Sequence, residues 1–225
     1  MHYHFILRFL FLFISIASYS AQACSTDDLN CVQVQVNSVN NKPLNNIVVY
    51  LEPLMNQSLP QRKESISVTQ NNKAFAPYIT VSQSSSKVNF VNKDDITHHI
   101  YSANSENKFS FIIRSGEKNA TKQFNHSAEI AMGCNIHDWM SGYLVVVDTP
   151  YFAKTDQQGI ASFSVDELGK YRIVIWHPQM QEKNNRMMID KNLSEDRSII
   201  AVTLQKEMNE IPQQISPDFD FISDY

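Results

Sequence analysis

The chain has 225 residues, 43 % of them hydrophobic and 19 % charged, with a formal charge of −4 at pH 7. That is enough for one large domain or two small ones, and enough to close a core without relying on cross-links. The mildly acidic balance and the lack of a basic stripe exclude nucleic acid as the natural partner.

The first 23 residues, "MHYHFILRFLFLFISIASYSAQA", have the form of an export signal: Arg8, an apolar stretch over 9–17, then Ala21-Gln22-Ala23 as a small-x-small cleavage site. The apolar stretch is far shorter than the roughly 20 residues a spanning helix needs, and no later segment approaches that length. The expectation is a periplasmic mature chain without a membrane span, beginning near Cys24 and one unit more acidic once Arg8 is removed. A short membrane anchor is the competing reading. A lipid anchor at Cys24 is another, which Ala21 and Gln22 oppose. Three cysteines occupy positions 24, 31 and 134. In an oxidising compartment Cys24 and Cys31 can close a small disulfide loop, which leaves Cys134 odd. An unpaired thiol there is either buried and inert or protected by a metal.

From Cys31 onward the pattern is nearly all β. "CVQVQVNSVNNKPLNNIVVYLEP" (31–53) alternates Val32, Val34 and Val36, breaks at Asn40-Asn41-Lys42-Pro43, and resumes at Ile47. A polar linker is expected over 55–65. Short strands follow within 66–81, 86–93, 98–103, 108–118, 128–134 and 143–148, separated by Asn, Ser and Asp turns. After Pro150, "AKTDQQGIASFSVDELGKYRIVIWHP" (153–178) gives a turn at 156–159 and two strands, and 198–204 gives the last one. The segment 206–225 is acidic and is expected to be disordered. With only five glycines, Asn and Ser carry most of the turns.

The chemistry concentrates in "GCNIHDWMSGYLVVV" (133–147). Cys134, His137 and Met140 offer thiolate, imidazole and thioether, the donors that softer metals prefer, and a His₂Cys set with a weak axial Met describes a blue-copper electron-transfer centre. Period two places Ile130, Met132 and Cys134 on one strand face, and a loop over 135–139 can turn His137 and Met140 back towards one ion. A further imidazole can come from the His98-His99 pair in "FVNKDDITHHIYS" (90–102).

These residues carry a resemblance. "CNIHDWMSGYLVVVD" is similar to the ligand loop of the cupredoxins, the small blue-copper proteins, with the short Cys-x-x-His-x-x-Met spacing of amicyanin. "FAPYITVSQSSSKVNFVNKDDITHH" resembles their N-terminal half. "GCNIHDWMSGYLVVVDTPYFAKTD" and "VIWHP" further resemble exported methylamine-utilisation-like proteins. The cupredoxin resemblance implies one mononuclear type 1 copper held by His98, Cys134, His137 and Met140. His99 is the second choice for the first histidine, and otherwise stands behind His98. The flanks resemble the halves of a prealbumin-like or carboxypeptidase-regulatory-like β-sandwich, with Asn41 where that family has Gly, a change Asn tolerates because it also visits positive φ.

The implied fold is all-β: a Greek-key cupredoxin β-sandwich inserted in, or joined to, a second prealbumin-like β-sandwich. The expected division is a signal peptide at 1–23, flanking sandwich at 24–63, cupredoxin domain at 64–148, flanking sandwich again at 149–205 and the tail at 206–225. A rival arrangement has the flanks adding strands to one large sandwich. The expected function is a one-electron carrier cycling Cu(II)/Cu(I) with an unidentified redox partner protein, and not an enzyme. By the same resemblance, electrons would leave through His137 near Ile136 and Trp139. A copper carrier or scavenger without a redox partner uses the same ligands, and a structural or adhesive module is the third reading.

Other chemistries fit less well. Zinc has no use for a methionine and its structural sites want four N or S ligands. A binuclear copper centre needs a second cysteine nearby, and a covalent haem needs CxxCH. Cys134 as a nucleophile with His137 as base lacks a third group. His126 reads as solvated, His177 in "IWHP" as structural, and Asp138 as free to bond within the loop or to bias partner choice. The remaining methionines, Met55, Met132, Met180, Met187, Met188 and Met208, read as gap fillers.

Overall fold

The computed structural model describes residues 30–55, 57–62, 65–116, 120–194 and 199–211. The expected leader, Cys24 and the last fourteen positions, 212–225, lie outside the described residues. Cys31 is disulfide-bonded, whereas Cys134 is a free, buried thiol. Among the described residues no helix is long and apolar enough to cross a membrane.

The strands are, in order, β1 (Cys31–Asn37), β2 (Val48–Pro53), β3 (Ser65–Asn71), β4 (Ala74–Ala76), β5 (Ile79–Gln83), β6 (Lys87–Asn92), β7 (His98–Ser102), β8 (Phe109–Ile113), β9 (Ala120–Gln123), β10 (Ala128–Cys134) and β11 (His137–Val147). Then come β12 (Phe152–Lys154), β13 (Ile160–Ser164), β14 (Gly169–Trp176), β15 (Arg186–Leu193) and β16 (Ile200–Thr203). The all-β class expected from the sequence is the class found. Among the described residues four sheets form: sheet I in the order β13-β1-β16, sheet II β12-β2-β14-β15, sheet III β5-β11-β10-β7-β8 and sheet IV β4-β3-β6-β9.

Three hydrophobic cores separate the four sheets. Sheets I and II enclose Val34, Val36, Val49, Leu51, Phe163, Ile173 and Ile175, among others. Sheets III and IV enclose Val68, Val88, Phe90, Ile100, Ile130 and Leu144, together with Cys134 and Met140. A third core lies between sheets II and III, built from Val48, Tyr50, Ile79, Val81, Val145, Val147, Val174 and Trp176. The flanking strands therefore form sheets of their own, and sheet II lies with one face on sheet I and the other on sheet III.

Local sequence accounts for this stacking. In β1, alternate valines point to one core and the glutamines between them stay half-buried. In β2, β11 and β14 both faces are covered, and each carries an uninterrupted apolar run: residues 48–51, 144–147 and 173–176 are all buried. Arg186 on β15 also pairs with Glu129 on β10, across sheets II and III. Both side chains are partly exposed, so this pair orients more than it stabilises.

Asparagine replaces glycine at the turns. Asn41, Asn46, Asn72, Asn184 and Asn185 all have φ between 54° and 58°, the left-handed region that Asn tolerates better than most residues. The stretch 66–81 is divided by the Asn72-Lys73 turn and by Pro77 into β3, β4 and β5. Strand β15 was not anticipated, because it is an edge strand with Met188, Asp190, Lys191 and Asn192 exposed and shows little periodicity. The short β9, likewise at an edge and without a buried residue, was also missed. At 206–211, where disorder was expected to begin, Met208 packs against the core between sheets I and II and the Asn209 N–H donates to the Gln179 carbonyl at 2.9 Å.

His177, read from sequence as structural, is only 2 % exposed, and its Nδ1 accepts from the Gln179 N–H. Burial pushes its pKa from 6.5 down to about 4. The unfolded chain takes up this proton near 6.5, whereas the folded one resists until about 4. Stability is thus fully present above pH 6.5 and is lost as pH falls through that window, by up to roughly 3 kcal/mol for this residue. Urea unfolding between pH 7 and pH 4 measures the loss. A His177→Gln variant with the same pH dependence as wild type would assign it to other groups.

Candidate metal centre

Three strands and one turn converge on the core between sheets III and IV. Asn92, at the end of β6, holds the turn into β7: its side-chain amide donates to the Ile96 carbonyl at 2.7 Å and the Ile113 carbonyl at 2.9 Å. Its Oδ1 accepts from the Asp94 N–H at 2.9 Å, an Asx turn. This fixes the start of β7, where His98 points inward and is fully buried. Cys134 ends β10 at 4 % exposure, pairing with Ile100 on β7 and with His137 across the hairpin. A register shift between Gly133 and Cys134 brings His137, 7 % exposed, to the same buried place.

The resulting cluster consists of His98, Cys134 and His137, whose ligand atoms all lie within 4.8 Å of one another. The Cys134 Sγ is 3.7 Å from the His98 Nδ1 and 3.6 Å from the His137 Nδ1. Metal–sulfur and metal–nitrogen bonds of about 2.3 and 2.0 Å, opened to 110–120°, separate the two donor atoms by about 3.5–3.8 Å. Both imidazoles therefore already sit at the spacing that a shared ion requires.

Protonation favours the same use. Burial pushes the Cys134 thiol up, but His98 and the backbone N–H groups of Ile136 and His99 outweigh it, and the thiol is held below its ordinary value. Burial likewise opposes charge on His98, yet Cys134 and Asp94 more than offset it, and its pKa is raised. His137 is shifted down, first by burial and then by the charge of His98. The shifts of Cys134 and His98 both run towards a thiolate hydrogen-bonded to a charged imidazole, and a metal would bind Cys134 without its proton.

His98 owes its orientation to Asp94, which was not among the expected site residues. The ring Nε2–H donates to the Asp94 Oδ2 at 2.7 Å. The same carboxylate accepts from the Asn72 N–H at 2.6 Å and the Lys73 N–H at 3.0 Å. Burial raises the Asp94 pKa, but these donors overcome it and leave the carboxyl below its usual range. Carboxylate bonding at Nε2 leaves Nδ1 as the nitrogen that faces the sulfur. The signal available in the sequence was an acidic residue four positions before a histidine in a turn.

No family model matches the chain, and no curated protein does. Among solved structures it is similar to an oxidised proline variant of amicyanin, at 15 % identity and a TM-score of 0.34 over 36 % of this chain and 81 % of that one. It is similar to a purple cupredoxin from Nitrosopumilus maritimus, at 17 % identity and 0.33 over 36 % of this chain and 98 % of that one. A third is the copper-containing nitrite reductase of Thermus scotoductus, at 20 % identity and 0.34 over 42 % of this chain and 25 % of that one. At this level of likeness the neighbours decide nothing about the site. Its own side chains speak for a metal.

The other expected residues fall as follows. His99, the second choice, faces away from the cluster: its Nε2 bonds Ser110 Oγ at 2.7 Å and its Nδ1 faces the Asn135 amide at 3.0 Å. The Asn135 N–H also donates to the His99 carbonyl, so this histidine braces the ligand turn. Met140 is 1 % exposed in the same core as Cys134, three residues along β11 from His137. Two residues further on, Gly142 leaves room for Phe75, whose Cβ would lie 2.9 Å from an added Cβ. The Trp139 ring lies 5.2 Å from that of His137, Ile136 is 54 % exposed, and Asp138 and His126 are exposed.

Proposed function

We propose that this chain is an exported one-electron carrier that holds a single type 1 copper through His98, Cys134 and His137, with Met140 as the weak axial ligand. The observation that carries this reading is the buried convergence of one thiol and two imidazole nitrogens within 4.8 Å. A thiolate with two imidazoles, and a thioether in the same core, matches the donor set of copper electron-transfer sites, whereas structural zinc prefers four ligands drawn from cysteine and histidine. Copper bound there would supply one-electron chemistry between Cu(II) and Cu(I).

The chain's own residues have distinct tasks. Cys134 provides the anionic ligand, and the N–H groups of Ile136 and His99 stabilise its charge. The Asn92–Asp94 turn and the Asn135–His99 bonds hold the two ligand-bearing segments. His137, beside Trp139 and the exposed Ile136, is the edge at which a partner would exchange electrons. In this reading residues 64–148 are the metal-bearing domain, the flanking sheets support it, and the location is periplasmic.

Loading the mature protein with Cu(II) is expected to give an intense thiolate-to-copper absorption near ~600 nm. A colourless complex overturns the reading. Near-complete burial of His98 and Cys134 also suits retention of the metal by a scavenger without a redox partner. Fast self-exchange and reversible voltammetry separate the carrier from the scavenger.

A further inference from the structure

His98 would bind a metal through Nδ1, and its other nitrogen is already committed. The carboxylate that holds it has side-chain exposure of 9 %, against 0 % for His98 itself. Asp94 is in turn immobilised from three directions. Asn72 and Lys73 lie in successive left-handed conformations, φ 54° and 56°, which turn two consecutive N–H groups onto the two carboxylate oxygens. The Asp94 N–H is tied to Asn92. Every lone pair this arrangement uses points at a donor.

We infer that Asp94 is a positioning residue for the metal site: clamped by the β3–β4 turn, it fixes the His98 ring with Nδ1 towards Cys134 and strengthens that nitrogen as a ligand. The inference rests on the metal-binding reading above. A carboxylate on the far nitrogen of a ligating imidazole fixes tautomer and orientation and makes the ring a better donor. The added electron density favours the more highly charged state of a bound redox metal, so removing the carboxylate charge raises the reduction potential.

The test compares wild type with Asp94→Ala, Asp94→Asn and the neighbouring exposed Asp95→Asn. The Asn variant keeps one oxygen for His98, but its amide nitrogen then faces the Asn72 N–H, donor against donor. Expected results are a slowly exchanging His98 Nε2–H in the nitrogen-15 NMR spectrum of metal-free wild type, lost in Asp94→Ala. Copper affinity, measured by chelator competition, falls about 10–100-fold in Asp94→Ala and less in Asp94→Asn. The potential rises in Asp94→Asn and is unchanged in Asp95→Asn. Asp94→Ala that remains folded by circular dichroism and binds copper within twofold of wild type overturns the inference. Should that variant fail to fold, an Asp94→Asn protein with wild-type affinity and potential overturns it. A wild type that binds metal tightly without the blue absorption refutes the electron-carrier reading alone, because the affinity ratios and the NMR signal still test Asp94. A wild type that holds no metal overturns both.

Discussion

Cys134→Ser is expected to abolish the ~600 nm absorption altogether and to weaken copper binding well beyond the 10–100-fold that loss of an outer partner costs. A serine hydroxyl does not ionise near neutral pH, so the site loses its single anionic donor. The two N–H groups that stabilise sulfur in the native site would then face a neutral oxygen. The side chain is small and buried at 4 % exposure, so the metal-free protein should keep its fold. Absorption spectra and a copper competition titration of both proteins, with thermal unfolding as control, measure the effect. A variant that retains the band places the chromophore elsewhere.

Trp176→Ala should cost about 3–5 kcal/mol of folding stability, the range for emptying a large aromatic site. Trp176 is 3 % exposed in the core between sheets II and III, and its ring meets that of Tyr143 edge-on at 5.7 Å. Tyr143 meets Tyr78 in the same manner at 5.7 Å, so the loss opens an aromatic cluster. The chain has two tryptophans, and in this variant the remaining one is Trp139, beside His137. Its fluorescence then reports unfolding around the His98, Cys134 and His137 cluster, while far-ultraviolet circular dichroism reports all four sheets. The two signals should move together to lower urea, because a cavity next to sheet II destabilises sheet III as well. Separate transitions, with the fluorescence midpoint at its wild-type value, would show that the two pairs of sheets unfold independently.

Much of this was legible in the residues, and what was not has physical reasons. The short ligand segment could be read because its chemistry is local: Cys134 and His137 are three residues apart, and the hairpin brings them together. Alternation on a strand sends one ring of the His98-His99 pair inward and the other outward, and the cupredoxin resemblance chose His98 as the inward one. Asp94 left only a slight local trace, four positions before His98, because the clamp that holds it comes from the Asn72 and Lys73 N–H groups, more than twenty residues away in sequence. Strand β15 hid for the opposite reason: an edge strand needs little apolar pattern when one neighbour supplies its hydrogen bonds. The stacking of sheets II and III left a visible trace in the unbroken runs at 48–51, 144–147 and 173–176, since one-sided strands would alternate.

That stacking limits how the middle segment can be inherited. Cut free, residues 65–147 would show water a bare wall of Ile79, Val81, Val145 and Val147, which sheet II now covers. A surface of that kind invites aggregation. The segment that carries His98, Cys134 and His137 is therefore not a cassette that can be moved alone between proteins: a shuffled copy would have to bring its backing sheet with it.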